Sequence, residues 1–98
     1  MPATLPDLQR LTPLCKANDV ALLGVFGSVA RGEANGDSDV DLLVRFRKPK
    51  SLLTIVALEQ AMSEVLGRSV DLLTEAALSP HLRARVLGDL QVVYEAAG

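Results

Sequence analysis

A small mixed α/β domain, with helices packed on a short β-sheet, is the fold class that the sequence predicts. Four short runs of strand length and largely apolar character point to it: Val20–Phe26, Asp39–Phe46, Ser69–Leu73 and Leu90–Tyr94. Segments with helical spacing and capping residues interleave with those runs in the order helix, strand, strand, helix, strand, helix, strand. Composition agrees, because 98 residues with 49% hydrophobic and 22% charged side chains suit one modest core rather than a disordered chain. A single domain over residues 1–98 is therefore expected.

Each element has a local reason. Leu8, Leu11, Leu14 and Cys15 recur at helical spacing, and Pro13 leaves two forms open. Either Pro13 kinks a helix begun near Asp7, or Thr12 caps a shorter helix with Pro13 at its first position. Val20–Phe26 reads as a buried strand ending at Gly27. The stretch from Gly27 to Ser38 reads as a loop, with a helical turn at Val29 to Arg31 and a turn signal at Asn35-Gly36. Asp39–Phe46 is the second strand, and Arg45, Arg47, Lys48, Pro49 and Lys50 form a solvated exit. Ser51 can cap a helix to Leu66, with Leu52, Ile55, Leu58, Met62 and Val65 as its core face and Gly67 as its stop. Ser69–Leu73 follows as a strand. Ser79-Pro80 then starts a helix with Leu82, Val86 and Leu87 inward and Gly88 near its end. Leu90–Tyr94 closes the chain as an edge strand.

Charge and cysteine usage narrow the function classes. The formal net charge of −2 argues against gripping long nucleic acid, which needs a basic face. A nucleotide remains compatible, since backbone amides and metal can hold its phosphates. The lone Cys15 can form no internal disulfide, and with no signal peptide or membrane-length apolar stretch the expectation is a cytoplasmic protein.

The chemistry gathers at the start of the second strand. Strand alternation places Asp39, Asp41, Leu43 and Arg45 on one face and Val40, Leu42, Val44 and Phe46 on the other. The second set is uniformly apolar and should face the core, leaving the two acids at an open end. Residues two apart on a strand lie about 6.7 Å from each other. Two carboxylates so placed repel by roughly 2–3 kcal/mol at an effective dielectric near 20. A divalent cation between them reverses that sign, and carboxylate, water and phosphate oxygens suit Mg²⁺. Two such ions can clamp the attacking and leaving oxygens of a phosphoryl displacement. Gly27-Ser28 directly follows the first strand: Gly permits close backbone approach, Ser adds a hydroxyl, and a helical turn there presents free amides to an anion. Asp71, between Val70 and Leu72 in the third strand, could supply a third carboxylate on the side of the nucleophile if the strands are neighbours.

Gly27-Ser28-Val29-Ala30-Arg31-Gly32 followed by Ser38-Asp39-Val40-Asp41-Leu42 resembles the signature of the DNA polymerase beta-like nucleotidyltransferase superfamily. In detail it is similar to the smallest members, the minimal nucleotidyltransferases (MNT), including the MntA-type antitoxins of HEPN/MNT toxin–antitoxin pairs. The resemblance runs from about Val20 to Tyr94 and is most specific in the opening motif. It implies a polymerase beta-like nucleotidyltransferase core, with triphosphate bound by Gly27 and Ser28, metal ions held by Asp39 and Asp41, and Asp71 as the third carboxylate. It also implies that Arg31 supports the phosphate loop or the triphosphate. The implied reaction moves AMP from ATP, with two Mg²⁺ ions, onto a tyrosine of a HEPN-domain toxin and silences it. The residues agree in one respect: no basic acceptor groove or second domain is evident, so the acceptor surface is expected from another protein.

Competing readings are a binding antitoxin that neutralises its partner by occlusion and, less favoured for want of a pocket, transfer to a small molecule such as an aminoglycoside. Glu33 and Asp37 are expected to solvate the loop, Arg83 and Arg85 to form a solvated helix face, and His81 to be a surface residue. Cys15 and Tyr94 are expected to serve packing.

Overall fold

Two antiparallel strands, Val20–Phe26 (β1) and Val40–Phe46 (β2), form the centre of a four-stranded sheet. The structure is a computed structural model and describes residues 7–33 and 39–96. Val70–Thr74 (β3) lies parallel to β2, and Gln91–Glu95 (β4) lies antiparallel to β1, giving the order β3-β2-β1-β4. The mixed α/β sheet expected from the sequence is thus present, with β4 on an edge as anticipated. Parallel β2 and β3 need a crossover, which the helix Leu52–Leu66 (α3) supplies.

The N-terminal segment satisfies both readings of Pro13 in part. A 3₁₀ helix spans Leu8–Leu11, and Thr12–Ala17 (α1) continues from it with Pro13 in the first turn. Leu11, not Thr12, is the capping position, and no side chain caps it. Pro13 costs little there because a first-turn amide has no intrahelical acceptor anyway. The helical turn placed at Val29 to Arg31 begins earlier, as Gly27–Ala30 (α2). Pro80–Asp89 forms α4, capped by the Ser79 side chain, and a 3₁₀ turn spans Glu75–Ala77 before it. Gly88 lies near the end of α4, as expected. The expected turn at Asn35-Gly36, Asp37 and Ser38 fall outside the described residues.

α3 behaves as its termini predict. The Ser51 hydroxyl accepts from the Thr54 amide at 3.2 Å, and Gly67 ends the helix at φ +67° with its amide bonded to the Ser63 carbonyl. Its apolar stripe is only partly core: Leu58 and Met62 are buried, Ile55 and Val65 partly so, and Leu52 is 74% exposed. The stripe meets the core from Ile55 onward, while Leu52 at the start of α3 stays outside it. Leu82 and Leu87 on α4 are likewise exposed, leaving Val86 as its buried contact.

The main core joins Val20, Leu23, Val25, Val40, Leu42 and Val44 of the sheet to Leu11, Cys15, Val29, Leu58 and Met62. Cys15 is fully buried, and burial pushes its thiol up to about 11. A thiol-specific reagent at pH 8 should therefore leave the native protein unlabelled and react with one thiol per chain after denaturation. Rapid native labelling would contradict this packing.

The opposite face of β2 is less open than alternation implies. Leu43 is buried in a second cluster with Leu78 and Val86, because the Glu75–Ala77 turn and α4 cover that face. Two expected solvent groups are engaged there: Arg45 pairs with Glu75 at 2.6 Å, and half-buried Arg83 donates to the Glu75 carbonyl at 3.2 Å. Lys50 pairs with Asp19 at 2.8 Å. Arg85 and His81 are exposed, as anticipated. No helix among the described residues is long and apolar enough to cross a membrane.

Candidate active site

The site is built where β1 ends and β2 begins. Phe26 is extended, and Gly27 then turns to φ +73°, a left-handed conformation that an L side chain rarely adopts. A Cβ on Gly27 would also overlap Oδ2 of Asp41. Two separate constraints therefore require glycine at this position. One turn of helix follows, anchored by buried Val29, and closes through Arg31 N–H to the Gly27 carbonyl at 3.1 Å and Glu33 N–H to the Ser28 carbonyl at 2.9 Å. The first amides of such a turn have no intrahelical acceptor.

Strand register brings the acids together. Asp41 pairs across from Phe26 on β1 and from Asp71 on β3, so it lies between the glycine turn and the third carboxylate. Adjacent strands are about 4.8 Å apart, so the register sets the Asp41 and Asp71 carboxyls side by side. Asp41 is half-buried, whereas Asp71 and Asp39 are exposed, Asp39 standing immediately before β2. Burial holds the Asp41 carboxyl above its ordinary range, and the charges of Asp71 and Asp39 push the same way, with Arg31 opposing. The acids thus form a close pair with Asp39 beside it. Among the described residues, no three His, Cys, Asp or Glu side chains gather round one cation position.

Two clefts flank this corner. On the glycine side, a cleft of about 190 Å³ is lined by Phe26, Gly27, Arg31, Arg85, Val86 and Asp89, among others. Arg31 is fixed there by bonds to Asp89 at 2.8 Å and Glu33 at 3.2 Å, so Glu33 does more than solvate the loop. The Gln91 side chain donates to the Ala30 carbonyl at 2.9 Å and ties the turn to β4. On the Asp71 side, a cleft of about 680 Å³ runs between α3 and the start of β3, bordered by Asp39, Asp71, Glu59, Ser63, Glu64 and Arg68.

All six residues singled out from the sequence, Gly27, Ser28, Arg31, Asp39, Asp41 and Asp71, come to this one corner. Sequence reasoning missed Glu59, Ser63, Asp89 and Gln91, whose contacts link distant elements. A usable signal existed for the first two, since polar residues four apart next to Leu58 and Met62 sit beside the core face of α3.

A relative in Methanocaldococcus jannaschii, provisionally named a protein adenylyltransferase, is 40% identical over 83% of this chain and 87% of its own. The protein adenylyltransferase MntA of Thermococcus cleftensis is 46% identical over 74% of this chain and 71% of its own. Among solved structures, a toxin–antitoxin complex with AMP-PNP superposes with a TM-score of 0.81 at 22% identity, covering 92% of this chain and 74% of the other. A complex of a tri-AMPylated Shewanella oneidensis HEPN toxin with an MNT antitoxin gives 0.71 at 20% identity, covering 91% and 70%. At those identities the two structures speak to the fold alone. The model of the nucleotidyltransferase domain matches residues 8–93, which hold the glycine turn and all three acids, and the chain belongs to the nucleotidyltransferase-domain family.

Proposed function

We propose that the protein is an antitoxin that transfers AMP from ATP to a hydroxyl of a partner protein, a tyrosine of a HEPN-domain toxin. The observation that carries this reading is the placement of Asp41 between the Gly27 turn and Asp71. A triphosphate acceptor, a half-buried carboxylate and a third carboxylate then follow one another across three strands. Support for a protein substrate comes from the relatives named adenylyltransferases, and the HEPN toxin is the partner of the MNT antitoxin in the Shewanella complex, whose fold this chain shares.

In this mechanism the Ser28 hydroxyl and the free amides of α2 bind the β- and γ-phosphates, and Arg31 backs the turn. Asp39, Asp41 and Asp71 would hold Mg²⁺, since their donors are all hard oxygens and a cation would offset both the burial that raises the Asp41 carboxyl and the like charges that add to it. Bound Mg²⁺ would neutralise charge on the phosphate oxygens and acidify the acceptor hydroxyl. The tyrosine oxygen bonds to the α-phosphorus as the bond to the bridging oxygen breaks. The displaced electron pair leaves with pyrophosphate on the glycine side. The tyrosine proton passes by way of exposed Asp71 to water.

Co-expression with the partner separates catalysis from occlusion. Asp39→Ala combined with Asp41→Ala should fail to protect cells while still co-purifying with the partner. Full protection by the double variant would replace this mechanism by occlusion.

A further inference from the structure

The outer edge of β3 is hydrogen-bonded to the side chains of α3, and those bonds bracket Asp71. β3 is an edge strand, paired to β2 on one side only. Its outward amides therefore need acceptors from elsewhere. The Val70 amide donates to Ser63 Oγ at 3.0 Å, and the Leu72 amide donates to Glu59 Oε2 at 2.8 Å. Ser63 Oγ itself donates to the Glu59 carbonyl at 3.0 Å, which fixes its rotamer.

The spacing explains why this ladder fits. Residues four apart on a helix rise about 6.0 Å, and residues two apart on a strand advance about 6.6 Å. Glu59 and Ser63 thus mesh with Leu72 and Val70 in register. Both side chains are partly buried along the wall of the larger cleft. The Glu59 bond is charge-assisted, the stronger kind. Val70 and Leu72 point into the core, so Asp71, held between two pinned amides, must project toward Asp41.

We infer that Glu59, aided by Ser63, is a positioning residue that sets the Asp71 carboxylate against Asp41 for cation binding and transfer. This rests on the proposed reaction but is measurable without it. Partners that orient a metal-ligating group typically matter by about 10–100-fold in metal affinity or activity. Glu59→Leu removes the acceptor, while Glu59→Gln keeps an oxygen in its place.

The test compares these variants with wild type by amide hydrogen exchange at Leu72, by Mg²⁺ titration in the presence of ATP, and by AMP transfer below the melting temperature. Glu59→Leu should speed exchange at Leu72, raise the half-saturating Mg²⁺ concentration about 10-fold and lower kcat about 10–100-fold. Its KM for ATP should change less than about 2-fold, because the glycine turn is untouched. Glu59→Gln should stay within about 3-fold of wild type on every readout. If Glu59→Leu does not fold, Ser63→Ala carries the test, with faster exchange at Val70 and a smaller loss in Mg²⁺ affinity. Unchanged Mg²⁺ affinity in the acceptor-deleted variant would overturn the inference, as would Glu59→Gln failing as badly as Glu59→Leu. Should wild type transfer no AMP, the reaction fails, and the exchange and Mg²⁺ data still decide the role of Glu59.

Discussion

Asp41→Asn should abolish AMP transfer, by about 1000-fold or more, and raise the melting temperature at pH 7 when no divalent cation is present. The two effects share one cause. Burial, with the like charges of Asp71 and Asp39 beside it, holds the Asp41 carboxyl above its ordinary range, so its ionised form is a cost to the fold. The same carboxylate lies between the glycine turn and Asp71, where several kcal/mol of transition-state charge stabilisation would be organised, and each ~1.4 kcal/mol is tenfold in rate. The pH dependence has a definite sign. A carboxyl with a raised pKa in the fold binds its proton more tightly folded than unfolded. Its contribution is favourable at acid pH and is lost as pH rises from the unfolded pKa through the folded one. The stability gap between Asp41→Asn and wild type should therefore open as pH increases past the ordinary carboxylate range and close again at acid pH. Mg²⁺ should raise the wild-type melting temperature and leave the variant unmoved. Thermal melts across pH, with and without Mg²⁺, check each part, and a variant less stable than wild type at pH 7 would contradict the assignment of Asp41.

Gly27→Ala should lower transfer about 100-fold and cost roughly 1–3 kcal/mol of stability. A non-glycine residue at φ +73° is strained by an amount in that range. The added methyl also meets the Asp41 carboxylate, so the glycine turn and the carboxylate proposed to bind phosphate and metal are both displaced. A misplacement of about 1 Å in a positioned site can cost 100-fold in rate. Gly88→Ala is the matched control, because Gly88 lies within α4 and a Cβ there meets nothing within 4 Å. That change should stabilise by about 0.4–1 kcal/mol and leave transfer intact. Urea melts and a transfer assay on both variants separate the two cases.

Much of this was readable from local sequence, and the reasons differ by element. The bounds of β1 follow from an apolar run stopped by a glycine that has its own structural task. α3 is legible because Ser51 and Gly67 act within a few residues of its ends. Alternation along β2 correctly separates Val40, Leu42 and Val44 from Asp39 and Asp41. It also places Leu43 on the acid face, but it does not show that Leu78 and Val86 from far along the chain cover that residue. Leu52 misleads for the converse reason, since helical spacing records a stripe without recording where the partner surface stops. The pairing of Asp41 with Asp71 was open in the sequence because it depends on register across a crossover. Arg31 held by Asp89, and β3 held by Glu59 and Ser63, are likewise products of tertiary packing.

The most direct test of the central claim is label transfer from ATP to the proposed HEPN partner. With the label on the α-phosphate it should appear on the partner, and with the label on the γ-phosphate it should not. Transfer of γ label would mean kinase chemistry and contradict the account, as would α label arriving undiminished from Asp39→Ala with Asp41→Ala.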